Sequence, residues 1–528
     1  MPASLATPVP PLDDPVAALA KLIGSDAVET DPEELRFASQ DLFSEGITPL
    51  AVVSPGSTSE VAELAKWCSQ HAIALCPRGG GMSYSEAFQP QGARSLILDF
   101  SRLAQIRQIS PEDGHVTLEA GCTWAALDEA LAAHGMRARF WGPMSGGTAT
   151  IGGSLSQGSV TFGSGVTGAS ANAVKSFEIV TGAGEVIRTG SDGSAGTGPF
   201  NRNFGPDLTG IFANDAGALG IKTAATLEIE PRPAMVNGLS FAFDDFEAMA
   251  VMLREVRLRR LASEFLAMDA DVARQNAGAP NLLEDAKAMM RIGLAAGSVT
   301  GALGRMTRVA MAGRRFLDKA AYTAHFMVEG RDKHDLRSRL NAIKALAKSG
   351  DEIVNTVPLA TRAAPFPELP VTHPDGRRLL PIHGVMADSQ ILAFHHDYVA
   401  LKDRYAGRME EVSITLAEFF AGIAGIGTLY EPVFYWPDSQ MLYHQRRTPS
   451  YLDGVAQTYP ENLKARELVR ELISEIVALM RAHGGTHFQL GRLYPYAQTR
   501  EGEAGAVLRD LKARFDPAGI LNPGALGL

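Results

Sequence analysis

The sequence predicts an α+β protein in two lobes. Strand-like runs crowd the first 235 residues, strands and helices alternate from 236 to about 485, and 486–528 returns to turn-rich, proline-marked sequence. These shifts set three expected segments: 1–235, 236–485, and a closing segment 486–528 that rejoins the first. A chain of 528 residues can bury more than one core, and mixed layers of this kind are how strand-rich and helix-rich stretches cover their apolar faces.

After a proline-rich leader, the apolar run 51–53 reads as a strand. Ser57 and Glu60 then form a capping box ahead of Val61, Leu64 and Cys68, whose spacing is helical. Residues 73–76 make a second strand that runs into a glycine loop, and 95–100 and 115–119 are further strands. A helix is expected from Thr123 until Gly135 stops it. Residues 176–180 and 185–188 flank a glycine-containing turn and read as a hairpin, and 226–229 is a strand closed by Pro-Arg-Pro. Beyond Pro233, SFAFDDFEAMAVMLREV reads as strand then helix. A strand at 324–330 leads into a charged helix over 332–348, and the aromatic-rich run 428–436 is a strand. That alternation predicts a second sheet with helices on one face.

Bulk properties narrow the chemistry. Hydrophobic content of 45% and charged content of 20% are ordinary for a water-soluble globular chain, and the net charge of −10 argues against nucleic acid as a partner. Cys68, Cys76 and Cys122 form no CxxC pair, which fits a reducing, cytoplasmic-type compartment and excludes an iron–sulfur relay. The N-terminal stretch lacks a basic region and a sustained apolar run, so no secretory signal is read, and no run is apolar enough to span a bilayer. Contact with a membrane would be peripheral. The basic stretch 287–319 reads as a helix pair or a subunit contact with a solvated edge, in line with an expected homo-oligomer.

Four separated segments carry the functional signal: PRGGGMSYS at 77–85, GGTATIGGSLS at 146–156, NDAGALGIKT at 214–223 and FDPAGILNPG at 515–524. Three are glycine-rich, and glycine lets main-chain N–H groups approach an anion closely. A dinucleotide fold would place GxGxxG between a strand and a helix. Here the loop is followed by polar loop and strand, so a phosphate would be met by loop N–H groups, with ATIGG at 149–153 as a further turn.

In this order, the four segments resemble the flavoproteins of the vanillyl-alcohol oxidase and p-cresol methylhydroxylase type, with a likeness also to FAD-linked D-lactate and glycolate dehydrogenases. The resemblance covers residues 30–233 and the final stretch. It implies a two-lobed FAD-binding fold with an α+β substrate cap. Arg78, Gly79, Gly80, Gly81, Met82 and Ser83 would hold the FAD pyrophosphate. Pro143, Thr148, Thr150, Gly152, Gly153 and Ser156 would line the ribityl and flavin side, Gly220 and Ile221 the adenine end, and Asn522 would close over the flavin. The loop histidine that links FAD covalently in many relatives is replaced by Met82 or Ser83, so noncovalent FAD is expected, with a link through Tyr430 or Tyr435 as the minor alternative.

Tyr84 stands where phenol-oxidising relatives hold a tyrosine that can stabilise a phenolate. His487, Arg492, Tyr494 and Glu431 complete the catalytic candidates: a base, an anion clamp, a hydrogen-bond donor, and a charge in an apolar strand. His383, His395 and His396 lack the metal motifs of the hydroxyacid enzymes, and adjacent helical histidines diverge, so no metal site is read. The implied activity is hydride transfer from an aromatic alcohol or alkylphenol to FAD, with oxygen, a cytochrome or a quinone as electron acceptor. The alternatives are a D-2-hydroxyacid dehydrogenase and a flavin-using transferase with no net redox change.

Overall fold

A computed structural model describes residues 14–272, 320–353, 357–452 and 456–528. The basic stretch 287–319 lies outside the described residues.

Three sheets organise the chain. The first joins β1 (Val28–Glu29), β2 (Ala51–Val53), β3 (Ala74–Arg78) and β4 (Ser95–Asp99) in the order β1-β2-β4-β3. β2, β4 and β3 run parallel, and β1 is antiparallel to β2. The crossover from β2 to β3 is the helix Thr58–His71. Ser57 Oγ accepts the Glu60 N–H at 3.2 Å, while the Glu60 carboxylate takes the Gly56 N–H at 2.8 Å instead of that of Ser57. The box is thus displaced by one residue. Val61, Leu64 and Cys68 are fully buried on the sheet side, as their spacing requires.

The second sheet is antiparallel: β5 (Ile106–Ser110), β6 (His115–Glu119), β8 (Val174–Val180), β9 (Val186–Arg188) and β10 (Ile221–Pro231) in the order β5-β6-β10-β8-β9, with β7 (Met136–Ala138) paired to the end of β10. β8 and β9 form the expected hairpin. One stretch departs from its sequence reading. The turn expected at ATIGG, 149–153, instead opens the helix Ile151–Gln157, capped by Thr150 Oγ1, which accepts the Gly153 N–H at 3.3 Å. A glycine pair disfavours a helix, but a Cβ on Gly152 would lie 2.7 Å from that of Ala120, so close packing selects glycine over propensity.

The third sheet forms the cap. β11 (Met235–Phe243), β12 (Glu264–Asp269), β13 (Tyr322–Gly330), β14 (Asp351–Ile353), β15 (Arg378–Pro381), β17 (Thr415–Ile423) and β18 (Gly427–Trp436) lie in the order β14-β11-β13-β12-β17-β18-β15, with β16 (Gly384–Met386) also on β18. The helices Phe246–Leu258, Lys333–Leu346, Ile391–Glu411 and Leu463–Ala482 bury apolar stripes, including Met249, Ile343, Phe394 and Leu472, in one core with Phe326, Phe420 and Tyr430 of the strands. Period-2 alternation decides what the opposite face shows. Along β18, Tyr430, Phe434 and Trp436 enter this core, whereas Leu429 and Glu431 face a cavity.

The last residues return to the first sheet. Leu75 N–H donates to Ile520 O at 2.7 Å and Asn522 N–H donates to Leu75 O at 2.8 Å, adding a short parallel rung to the free edge of β3. Asp516 secures this turn by accepting the N–H groups of Ile520 and Leu521. Among the described residues, no helix is long and apolar enough to cross a membrane.

Candidate active site

A cavity of about 360 Å³ lies between the first two sheets and the cap. Gly79, Gly80, Gly81, Met82, Ser83 and Tyr84 form one wall. Pro143, Thr150, Gly152, Gly153 and Ser156 form a second, Gly220 and Ile221 line one end, and Glu431 faces in from the cap.

The wall after β3 is a ready anion cradle. Within the described residues, the main-chain N–H groups from residue 80 to residue 84 donate to no protein acceptor. By contrast, the first N–H groups of the helix Ile151–Gln157 are spent: Ile151 on Cys122 O, Gly152 on Ala120 O, Gly153 on Thr150 Oγ1. The N–H groups free to meet an anion are therefore those of the loop, where they are consecutive and unpaired, as in a nest. The glycines have a second reason. A Cβ on Gly80 would stand 2.0 Å from Thr148 O, and one on Gly79 2.2 Å from Thr150 Oγ1. The two walls touch main chain to main chain, and Thr148 supports the loop from behind without lining the cavity.

Other expected residues also stand behind the lining. Arg78 is 5% exposed beneath Gly81, between the rings of Phe37 and Phe88, with Nε and Nη2 unpartnered. Asn522 is buried and does not close over the cavity; Nδ2 donates to Ala87 O and Ala216 O, clamping two lining loops together. Arg492 is a strut and not an anion clamp. Its guanidinium donates to Glu86 O, Pro523 O and Asn522 Oδ1, fastening the closing turn to the 83–86 loop.

His487 and Tyr494 stack at 4.4 Å between ring centroids, outside the lining. Tyr494 Oη accepts the His383 N–H at 2.9 Å and donates to His383 Nδ1 at 3.3 Å, so its hydroxyl is occupied. His383 donates Nε2–H to Phe488 O, and burial pushes its pKa down to about 3. His487 donates Nδ1–H to His383 O and keeps Nε2 unpartnered; burial lowers its pKa. His395 bonds Tyr430 Oη at 2.8 Å inside the cap core, while His396 points to solvent. That bond also turns Tyr430 away from the cavity, and Tyr435 does not line it.

Tyr84 and Glu431 are the titratable groups of the expected catalytic set that reach the cavity. Burial pushes the Glu431 carboxyl up to about 7. The Tyr84 phenol is held well above its usual range, first by burial and then by the field of Glu431, and it is hydrogen-bonded to the Gln489 side chain. Around them the cap contributes Leu369, Pro370, Val371, Leu379 and Pro381. Among the described residues, the only cation lining the cavity is Lys222, with its ammonium 2.5 Å from Asp215 Oδ1.

Sequence reasoning missed Lys222, Gln489, Tyr443 and Arg447. Tyr443 lines the cavity and donates to Gly81 O at 2.8 Å, and Arg447 donates to Gly80 O at 2.8 Å. Lys222, inside the strand IKTAATLEIE, was detectable as a lone charge among buried residues. The helix LYHQRR carries no motif that would have marked Tyr443 and Arg447.

The fold is of the p-cresol methylhydroxylase architecture, and its cradle of free N–H groups fits an anionic group. Residues 49–190 match the family described as FAD binding domain, and 455–526 match the family described as FAD linked oxidases, C-terminal domain. The chain thus carries an FAD binding domain and a segment like the C-terminal domain of FAD linked oxidases, and its cofactor is FAD. Among solved structures, p-cresol methylhydroxylase with substrate bound has a TM-score of 0.69 at 17% identity, over 97% of this chain and 96% of that one. Alkyldihydroxyacetonephosphate synthase has a TM-score of 0.68 at 16% identity, over 97% and 86%. Among curated relatives, glycolate oxidase subunit GlcD of Bacillus subtilis is 28% identical over 39% of this chain and 43% of its own length. The mitochondrial cytochrome-linked D-lactate dehydrogenase of Kluyveromyces lactis is 28% identical over 39% and 37%. The chain thus spans less than half the length of these two relatives.

Proposed function

We propose that this protein is an FAD-dependent oxidase or dehydrogenase that acts on an uncharged aromatic alcohol or alkylphenol. The observation that carries this reading is the charge of the lining. Among the described residues, the substrate side offers apolar side chains, the phenol of Tyr84, the amide of Gln489 and the carboxyl of Glu431, with no cation beside them. A 2-hydroxyacid would bring a carboxylate beside these groups with no free cation among the described residues of the lining to pair with it, which costs several kcal/mol. Lys222 is already neutralised by Asp215. The hydroxyacid relatives favour the alternative by sequence, but among the described residues this lining holds no free cation for a carboxylate.

FAD, when bound, supplies the acceptor for a hydride. The chain's own residues supply the rest. The loop 80–84 binds the pyrophosphate through N–H groups, and the apolar wall of Leu369, Val371 and Leu379 excludes water. Tyr84 orients the substrate hydroxyl or phenol, and Glu431 in its carboxylate form takes the proton released as the alcohol becomes a carbonyl.

The reading is tested by anaerobic mixing of the purified flavoprotein with benzylic alcohols, para-alkylphenols and D-2-hydroxyacids. Bleaching of the flavin by the aromatic panel alone is expected, and bleaching by hydroxyacids alone would overturn the assignment. No bleaching by any compound, together with no turnover with artificial acceptors, would favour a transferase. Admitting oxygen or a quinone to the reduced protein then identifies the acceptor class. FAD is also expected to leave the protein on acid precipitation, giving a yellow supernatant. A yellow pellet would mean a covalent link.

A further inference from the structure

We propose that the cap helix Leu442–Arg447 is part of the cofactor site, with Tyr443 and Arg447 as positioning residues that hold the 80–84 loop in its anion-binding form. The proposal rests on the assignment of that loop to the FAD pyrophosphate.

Two adjacent peptides carry the geometry. Arg447 Nη2 donates to Gly80 O and Tyr443 Oη donates to Gly81 O, both at 2.8 Å. In a trans peptide the N–H points opposite to the C=O. Holding these carbonyls toward the cap helix therefore turns the N–H groups of Gly81 and Met82 away from it, and neither has a protein partner. Without the two donors, the glycine peptides are free to rotate and the nest is lost.

Charge points the same way. Arg78 lies beneath Gly81, and Arg447 bonds the same loop from the cap. Both guanidiniums contact the ring of Phe37, with centroid distances of 5.4 and 5.7 Å. The nearest carboxylate to Arg78 is Asp99, 3.7 Å away, and Nε and Nη2 remain unpartnered. Two neighbouring cations with so little compensation favour a dianion on the loop between them.

The helix has its own attachments, so the role of Arg447 can be separated from that of the helix. Arg446 pairs with Glu33 and Glu34, His444 donates Nε2–H to Leu42 O, and the Tyr443 N–H donates to Gln40 Oε1. Replacing Arg447 leaves all of these in place.

The experiment uses the full chain stripped of flavin and titrated with FAD and with riboflavin, which lacks the pyrophosphate, while flavin fluorescence is followed. Arg447→Met is expected to raise the FAD Kd about tenfold and to leave riboflavin binding unchanged, the scale of a lost charge-assisted hydrogen bond. Arg447→Lys is expected to recover part of the affinity, and Tyr443→Phe to speed FAD release. An FAD Kd within about twofold of the parent for Arg447→Met and Tyr443→Phe, in variants that melt with the parent, would overturn the proposal. If Arg447→Met does not fold, the FAD release rate of Tyr443→Phe decides. If the parent apoprotein takes up no FAD, it is the loop assignment that fails.

Discussion

Replacing Glu431 with glutamine is expected to lower kcat/KM on the alcohol by about 100- to 1,000-fold, the usual worth of a positioned general base. The parent should show an acid limb that the variant lacks. Burial raises the carboxyl from its ordinary 4.5 to about 7, so below that pH the group is protonated and cannot take the substrate proton. Parent kcat/KM should therefore fall about tenfold per pH unit below 7 and level off above it. Glutamine keeps the size and a hydrogen bond but has no basic form, so its profile should be flat. Stability should change in the opposite sense. A carboxyl whose folded pKa is raised contributes most below the unfolded pKa, and that contribution is lost as pH rises toward the folded value. The variant apoprotein should thus melt higher than the parent at about pH 8 and not at about pH 4. A glutamine variant that keeps the acid limb would remove Glu431 from the chemistry.

Gly80→Ala is expected to abolish FAD retention, so that the protein purifies colourless. The added methyl would sit 2.0 Å from Thr148 O and 2.7 Å from the Thr148 carbonyl carbon, both main-chain atoms that cannot rotate aside. One of the two walls must move, and overpacking of this kind costs about 1–3 kcal/mol in stability. Any movement of the loop misplaces N–H groups whose spacing must match a pyrophosphate. Gly92→Ala is the control, because a Cβ there meets nothing within 4 Å. A yellow Gly80→Ala protein with parental FAD affinity would show that the loop does not hold the cofactor.

Much of this architecture was readable because glycine and capping residues act locally. The loop at 77–85 announces itself by three consecutive glycines, and Ser57 marks its helix whatever surrounds it. The side-chain roles were harder, because they depend on satisfaction and direction. Arg492, Tyr494 and His487 have the right chemistry, but main-chain and side-chain groups of distant segments occupy most of their polar atoms. Tyr430 and Glu431 must face opposite sides of a strand by its period of two, yet only the helices of the cap decide which side is the cavity. Thr150 hid a helix behind a glycine pair, and Arg447 sits in a stretch with no pattern at all.

The rung between Leu75 and Leu521 has a consequence for biosynthesis. β3 and its loop are translated early, while residues 520–522, which complete that edge, leave the ribosome only after the whole cap has been made. Until then the strand edge is open, a template that a chaperone or another nascent chain can occupy. Flavin loading is accordingly expected only once residues 520–522 have been made, and shortage of the vitamin would be felt as a pool of apoprotein waiting to be filled.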